Sequence, residues 1–238
     1  MGTFAENIIS FCSDLDFTGI LPEGISVMNP CKNNPTIFSV VSQFYQRFYN
    51  DNRARHIILG INPGRFGAGA TGIPFTDTVR LREKCGLSVQ GLKTYETSSV
   101  FFYEMIDCYG GPEKFYGDFF ISSVSPLGFT SVSKTGRQIN YNYYDSKKLT
   151  EAVKEFITES IKRQLEFSIE RDICFCLGTG KNYDFLSKLN KEQKFFQRIE
   201  PLEHPRYIMQ YKAKHKQYYI NQYIKNLIIF RRESENQH

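Results

Sequence analysis

Asn62 and His204 are the side chains whose types and surroundings best suit chemistry. Asn62 lies in the segment GINPGRFGAGATGIPF (Gly60 to Phe75), which opens directly out of the β-like run His56-Ile57-Ile58-Leu59. Its amide is fixed between a strand end and Pro63, glycines follow where backbone must approach a ligand, and Phe75 supplies an aromatic face. These features suit a flat ligand. An amide has no useful proton affinity near neutrality, so Asn62 can orient a water but cannot serve as a general base. His204, in LEHPRYIMQY, can donate a hydrogen bond to an oxygen that gathers negative charge, and losing one such donor typically costs about 2.7 to 4 kcal/mol of barrier. Oriented water plus a donor to a departing anion suits hydrolysis of a bond whose leaving group gathers negative charge. Each residue also has a structural reading: Asn62 as a tie between loop and strand end, His204 as a capped histidine.

The loop contains a literal GxGxxG match, Gly67-Ala68-Gly69-Ala70-Thr71-Gly72. A dinucleotide fingerprint turns straight from strand into helix. Here the match begins several residues after the strand, and Ile73-Pro74 stands where a helix would be under way. Walker A is also missing, since no GK[ST] closes the loop. A glycine-rich turn without a ligand is the other reading of this loop considered alone. Asp77 invites the role of base, yet Thr76-Asp77-Thr78 before Val79-Arg80-Leu81 reads better as a helix N-cap.

The elements that must hold these residues alternate between helix and strand. Candidate strands are His56 to Ile61, Phe119 to Val124, Ile173 to Leu177 and Phe196 to Pro201. They are apolar on both faces, which predicts an α/β fold: a three-layer α/β/α sandwich with a central, mostly parallel four-stranded sheet. A helix is predicted from Ser146 to Phe167, where Leu149, Val153, Phe156, Ile157, Ile161 and Leu165 recur at helical spacing. Thr36 to Tyr49 and His215 to Phe230 are further helical candidates. Their aromatic stripes, Phe44, Tyr45 and Phe48 in one and Tyr218, Tyr219 and Tyr223 in the other, read as core. The polar segment Ser131 to Tyr144 reads as a long surface connection, and the tail after Arg232 as frayed. A chain of 238 residues is expected to form one domain over 1–238.

The net charge of +5 permits nucleic acid without requiring it, because many basic proteins bind none. Its placement says more: Lys212, Lys214, His215 and Lys216 follow the His204 segment closely. They form either a phosphate-gripping rim or the solvated start of the last helix. No window approaches the roughly 18 apolar residues of a membrane span, and the first residues carry no secretory pattern. A soluble cytoplasmic protein is expected, nucleoid-associated if bacterial. The six cysteines, Cys12, Cys31, Cys85, Cys108, Cys174 and Cys176, include no CxxC pair, so zinc and iron–sulfur spacing are missing. Cys174 and Cys176 read as core residues of a strand, and reduced thiols fit the whole set.

Asn62-Pro63-Gly64, Phe66-Gly67 and Thr71-Gly72-Ile73-Pro74-Phe75 together resemble the first motif of the uracil-DNA glycosylase superfamily, specifically its single-strand-selective monofunctional (SMUG-like) branch. His204-Pro205 after Arg198-Ile199-Glu200-Pro201 is similar to the family's histidine motif. Ser122-Ser123-Val124-Ser125-Pro126-Leu127 resembles its base-recognition strand, and the similarity spans roughly Ile57 to Leu227. The resemblance implies a monofunctional enzyme that hydrolyses uracil or a related deaminated base from DNA, single- or double-stranded. It implies Asn62 and His204 as catalytic residues, with the sugar cation stabilised largely by the substrate's own phosphates. Pro63, Gly64, Ala68, Phe75 and Ser123 would form the base pocket. Arg65, Arg206, Lys212 and Lys214, with Gln210 and Tyr211, would hold DNA, with salt-sensitive binding. No metal or organic cofactor is expected, and a monomer is.

Two departures stand out. The branch reads the base edge with an asparagine where this chain has Ser123, whose hydroxyl is shorter and both donates and accepts. The segment Pro205 to Tyr211 also has fewer prolines than the family's wedge, which leaves the intercalating side chain open. Two other readings are a binding-only protein for damaged or single-stranded DNA and a nucleotide-binding enzyme using the GxGxxG match.

Overall fold

The computed structural model describes residues 2–32 and 34–235. In chain order its elements are α1 (Phe4–Asp14), β1 (Ile25–Met28), α2 (Pro35–Tyr49), β2 (Arg55–Gly60), α3 (Ala68–Thr71), α4 (Thr78–Cys85), α5 (Thr97–Tyr109), α6 (Pro112–Asp118) and β3 (Phe119–Ser123). There follow β4 (Gly128–Val132), β5 (Gln138–Tyr141), α7 (Lys147–Leu165), β6 (Ile169–Leu177), α8 (Lys181–Gln193), β7 (Arg198–Leu202), α9 (Pro205–Tyr211), a 3-10 turn (Ala213–His215) and α10 (Lys216–Glu235).

Every residue of β2 and β3 is buried, a pattern tolerated only by strands covered on both faces. These strands belong to a four-stranded sheet in the order β3-β2-β6-β7, with each neighbouring pair parallel. Helices flank it: α1 packs on α2 and α7, and α5 on α9 and α10. The expected α/β sandwich with four parallel strands is therefore what the chain forms. Local signals start the helices where expected. Asn34 accepts from the Ile37 N–H with Pro35 at the first helical position, Ser146 accepts from Leu149, and Asp77 caps α4 by accepting from Arg80.

The expectation of a surface connection over Ser131 to Tyr144 is overturned. That stretch holds the end of β4 and all of β5, which with β1 make a second, antiparallel sheet in the order β1-β4-β5. Its polarity misled because one face of an antiparallel sheet can meet water, and Gly136 at φ 75° makes the turn between β4 and β5. Among the aromatic stripes, Phe44, Tyr45, Phe48 and Tyr223 are buried, whereas Tyr218 is 60% exposed and so is not core. The backbone of α10 runs to Glu235, past the point where fraying was expected, and 236–238 lie outside the described residues. All six cysteines are free; Cys174 and Cys176 are buried, and burial pushes the Cys176 thiol up to about 12.

Arg55 is fully buried at the start of β2. Its guanidinium bonds the Asp51 carboxylate at 2.8 and 2.9 Å and the Tyr116 carbonyl at 2.8 Å, and lies 4.6 Å from the Phe4 ring centre. This arrangement anchors the strand that delivers Asn62.

Candidate active site

Because the four central strands are parallel, the loops leaving their C-terminal ends gather at one edge of the sheet, where open α/β sheets bind ligands. A cavity of about 520 Å³ opens there. Its wall takes Asn62, Pro63, Gly64, Ala68 and Phe75 from the loop after β2, Ser123 from the end of β3, and His204 from the loop after β7.

Asn62 is held from both ends of its amide. Its Oδ1 accepts from the Tyr143 backbone N–H at 3.1 Å, and its Nδ2 donates to the carbonyls of Tyr141 at 3.3 Å and Pro63 at 3.4 Å. The segment just past β5 therefore sets which way the amide faces. Tyr143 is itself buried, and its hydroxyl donates to Asn182 Oδ1 at 2.8 Å. Asn182 donates in turn to the carbonyls of Leu177 and Gly60. An amide oxygen has two lone pairs, so Oδ1 keeps one for a water in the cavity.

Phe75 stacks on Phe102, with centroids 4.7 Å apart and planes 15° from parallel. The backbone at Phe75 is left-handed, with φ 51°, a conformation rare outside glycine and held here by the packing of the ring. Gly60 makes room for it, since a Cβ there would lie 3.0 Å from the Phe75 ring and 3.4 Å from Ser123 Oγ. The pairing of Gly60 with Ser123 across β2 and β3 brings the serine beside the ring.

His204 caps α9. Its Nδ1 accepts from the Arg206 backbone N–H at 3.1 Å, which makes Nε2 the protonated nitrogen of the neutral ring. Burial, with help from the Arg206 charge, holds the imidazole down to about 4. Its ring centroid is 5.7 Å from that of Phe75. At neutral pH the site thus holds an uncharged donor beside an aromatic platform.

Arg206, Gln210 and Tyr211 reach the cavity rim from α9, and Tyr211 is 65% exposed, its ring centroid 5.5 Å from that of Tyr207. Lys212 and Lys214 lie beyond the cavity wall, Lys212 at the junction of α9 with the 3-10 turn and Lys214 within that turn. Arg65 also stands outside it, with its guanidinium over Phe66 at 5.0 Å. Lys216 pairs with Glu104 at 2.7 Å, which draws it from the basic cluster suggested by sequence. The GxGxxG match forms the single-turn helix α3 and ends at Gly72 with φ 75°, unlike a dinucleotide fold. Among the described residues, no group of three His, Cys, Asp or Glu side chains is placed to hold a metal ion.

The family model described as "Uracil DNA glycosylase superfamily" matches residues 46–228. The chain belongs to that superfamily. A solved structure of wild-type SMUG2 from Pedobacter heparinus is 54% identical to the glycosylase, covering 98% of this chain and 100% of that one, with a TM-score of 0.95. No curated protein matches. The glycosylase is thus a SMUG-like uracil-DNA glycosylase acting on N-glycosidic bonds in DNA, and no described helix is long and apolar enough to cross a membrane.

Sequence reasoning did not single out Tyr143, Asn182, Asn140, Glu96 or Lys181, which line or support the glycosylase's cavity. Tyr143 and Asn182 act through contacts distant in sequence, with no local motif to reveal them. Asn140 sits on a strand read as a connection. Glu96 reaches the cavity wall from the start of α5, and glutamate at an N-cap position was the available signal. Lys181 also lines the cavity, its amine 5.9 Å from the Tyr144 ring centre.

Proposed function

We propose that the enzyme is monofunctional and removes uracil and related deaminated bases by direct attack of water on the sugar. Asn62 orients that water with its free lone pair and carries no proton. His204 donates from Nε2 to the oxygen of the departing base, and Phe75 stacks on the extruded base, worth about 1 to 3 kcal/mol. Pro63, Gly64 and Ala68 shape the loop around it, and Ser123 contacts its edge. Extrusion costs a few kcal/mol and less where pairing is weak, so both single strands and mismatched duplexes serve as substrates. Arg65, Arg206, Gln210, Tyr211, Lys212 and Lys214 hold the strand on the outer face. The enzyme is read as a cytoplasmic monomer, which gel filtration coupled to light scattering tests for the oligomeric state.

The observation that supports this reading most is the pairing, in one cavity, of an amide fixed from both ends with a neutral histidine whose Nδ1 is already occupied. A site that only bound DNA would have no need of either. The test is incubation without metal on oligonucleotides carrying a single uracil, hypoxanthine or xanthine, scored for alkali-labile abasic sites. Excision lost in Asn62→Ala and His204→Ala supports it, and unchanged excision in both removes their roles. Borohydride trapping of a covalent DNA adduct, with Lys181 the first amine to test, would defeat the monofunctional claim.

A further inference from the structure

Glu96 is a carboxyl in the cavity wall that the mechanism above leaves unused. It occupies the N-cap position of α5, yet its side chain makes no capping bond and turns to the wall of the base cavity. The loop after β2 is shaped around it. A Cβ on Gly64 would come within 3.3 Å of Glu96 Oε1, and one on Gly67 within 2.1 Å of Oε2, so these two glycines leave the carboxyl its present position, and a side chain at Gly67 would push it aside. Among the described residues none donates a hydrogen bond to that carboxyl. The half-buried carboxyl therefore faces the cavity and not a protein donor, and a base that displaces water there favours its neutral form.

The neighbouring amide points to the same chemistry. Asn140 Oδ1 accepts from the Arg65 backbone N–H at 3.0 Å, which fixes its Nδ2 as the free end, and that Nδ2 lies 3.6 Å from where a Gly64 Cβ would be. Glu96 and Asn140 therefore flank Gly64 at one wall, whereas Ser123 and Phe75 flank Gly60 at another. Ser123 donates or accepts equally well and cannot by itself favour a carbonyl.

We propose that Glu96 acts in its neutral, protonated form as a second hydrogen-bond donor to the leaving base, facing a ring carbonyl at the Gly64 wall beside Asn140. This deepens the glycosylase reading above and rests on it. No proton changes hands: the O–H bond stays intact while negative charge grows on the base carbonyl as the bond to the sugar breaks. A carboxylate at the same place would repel that charge and raise the barrier. Bases made by deamination carry the carbonyl that such a donor needs, whereas the parent amino bases set an amine against it.

The ionisation of Glu96 agrees with this role. Burial pushes its carboxyl up to about 7, the Arg206 charge on α9 opposes that rise, and Asp77 at the start of α4 adds to it. DNA phosphates would raise it further. Excision should accordingly be highest while Glu96 is protonated and fall as pH rises beyond its ionisation.

The test compares the full-length wild type with Glu96→Gln and Glu96→Ala in single-turnover excision of uracil and hypoxanthine between pH 5.5 and 9, with affinity for abasic-site DNA measured alongside. Glutamine imitates the neutral acid. The wild type should lose about tenfold in rate per pH unit on the alkaline side. Glu96→Gln should stay within about threefold of the wild-type maximum and show no alkaline fall. Glu96→Ala should sit about 100-fold below the wild-type maximum, show no alkaline fall, and bind abasic-site DNA as before. The proposal is overturned if Glu96→Gln keeps the wild-type pH profile, if Glu96→Ala excises normally, or if its loss is matched by lost DNA affinity. A wild type that excises no base at any pH would instead sink the glycosylase reading, and this proposal with it.

Discussion

The backbone N–H of Tyr143 donates to Asn62 Oδ1 across 81 residues of sequence, so the segment just past β5, and not the loop after β2 alone, sets the direction of the amide. Tyr143 is kept in place by its hydroxyl bond to Asn182 and by Thr150, which donates to its carbonyl at 3.0 Å. Removing the phenol leaves Asn182 Oδ1 buried without its donor, a cost of about 1 to 3 kcal/mol. A misplacement of about 1 Å at the reacting centre can cost roughly 100-fold in rate. Tyr143→Phe and Asn182→Ala should therefore slow single-turnover excision by about 10- to 100-fold. Affinity for abasic-site DNA should hold, and a parallel loss of affinity would show that the cavity, not the amide, has been disturbed.

The reach of the sequence follows from the same geometry. Asn62, Phe75 and His204 were legible because each sits beside local punctuation: a strand end, a glycine loop, a proline. The central strands were legible because burial on both faces leaves continuous apolar runs such as Ile57-Ile58-Leu59. Tyr143 and Asn182 were not, since their function lies in bonds made across the fold. The sheet containing β5 was missed for a related reason: Gln138 and Ile139 are exposed, so no apolar alternation marks the strand.

Gly60 and Phe75 meet so closely that Gly60→Ala must move the ring or Ser123. The base platform would shift while the buried sheet is otherwise untouched. Excision should drop by the worth of a stacked base, about 1 to 3 kcal/mol in kcat/KM, as it should in Phe75→Ala. The double variant should lose little more than either single one, because both remove the same contact. Fully additive losses would assign Gly60 a separate role.

Arg206 stands at the rim with its charge toward the cavity. If it neutralises one phosphate, Arg206→Ala should reduce the slope of log Kd against log salt by about 0.9. The weakening should be alike for uracil, hypoxanthine and undamaged strands, as expected of a backbone contact. A base-dependent change would move Arg206 from strand holding to base reading.

Arg55 is wholly buried while Asp51 is partly exposed, so the two partners differ in what their loss exposes. Arg55→Ala leaves a hollow against the Phe4 and Tyr49 rings and an Asp51 carboxylate held by Arg53 alone, and Asp51→Asn leaves a buried cation short of its anion. Breaking a buried pair from one side costs about 3 to 5 kcal/mol, and Asp51→Asn should fall toward or below that range because water already screens its carboxylate. Urea unfolding midpoints measure both. Despite desolvation, the hydrogen bonds from Arg55 and Arg53 hold the Asp51 carboxyl well below the usual range. Its stabilising share is thus full above the ordinary carboxylate value and lost only as pH falls through the lowered one.

The direction in which His204 titration acts follows from which ring nitrogen is occupied. With Nδ1 accepting from Arg206 N–H, protonation must break the cap of α9 as well as charge a desolvated ring. The folded protein therefore holds the imidazole neutral from its ordinary 6.5 down to about 4. Between those values only the unfolded chain takes up the proton. This group's contribution to stability is full above 6.5 and is lost as pH falls through about 4. Excision by Glu96→Gln, which lacks the alkaline fall, should stay level on acidification past 6.5 and decline only near 4, where the oriented donor is lost. A decline centred near 6.5 would mean that the ring titrates as it does in water, and that desolvation does not keep it neutral in the working enzyme.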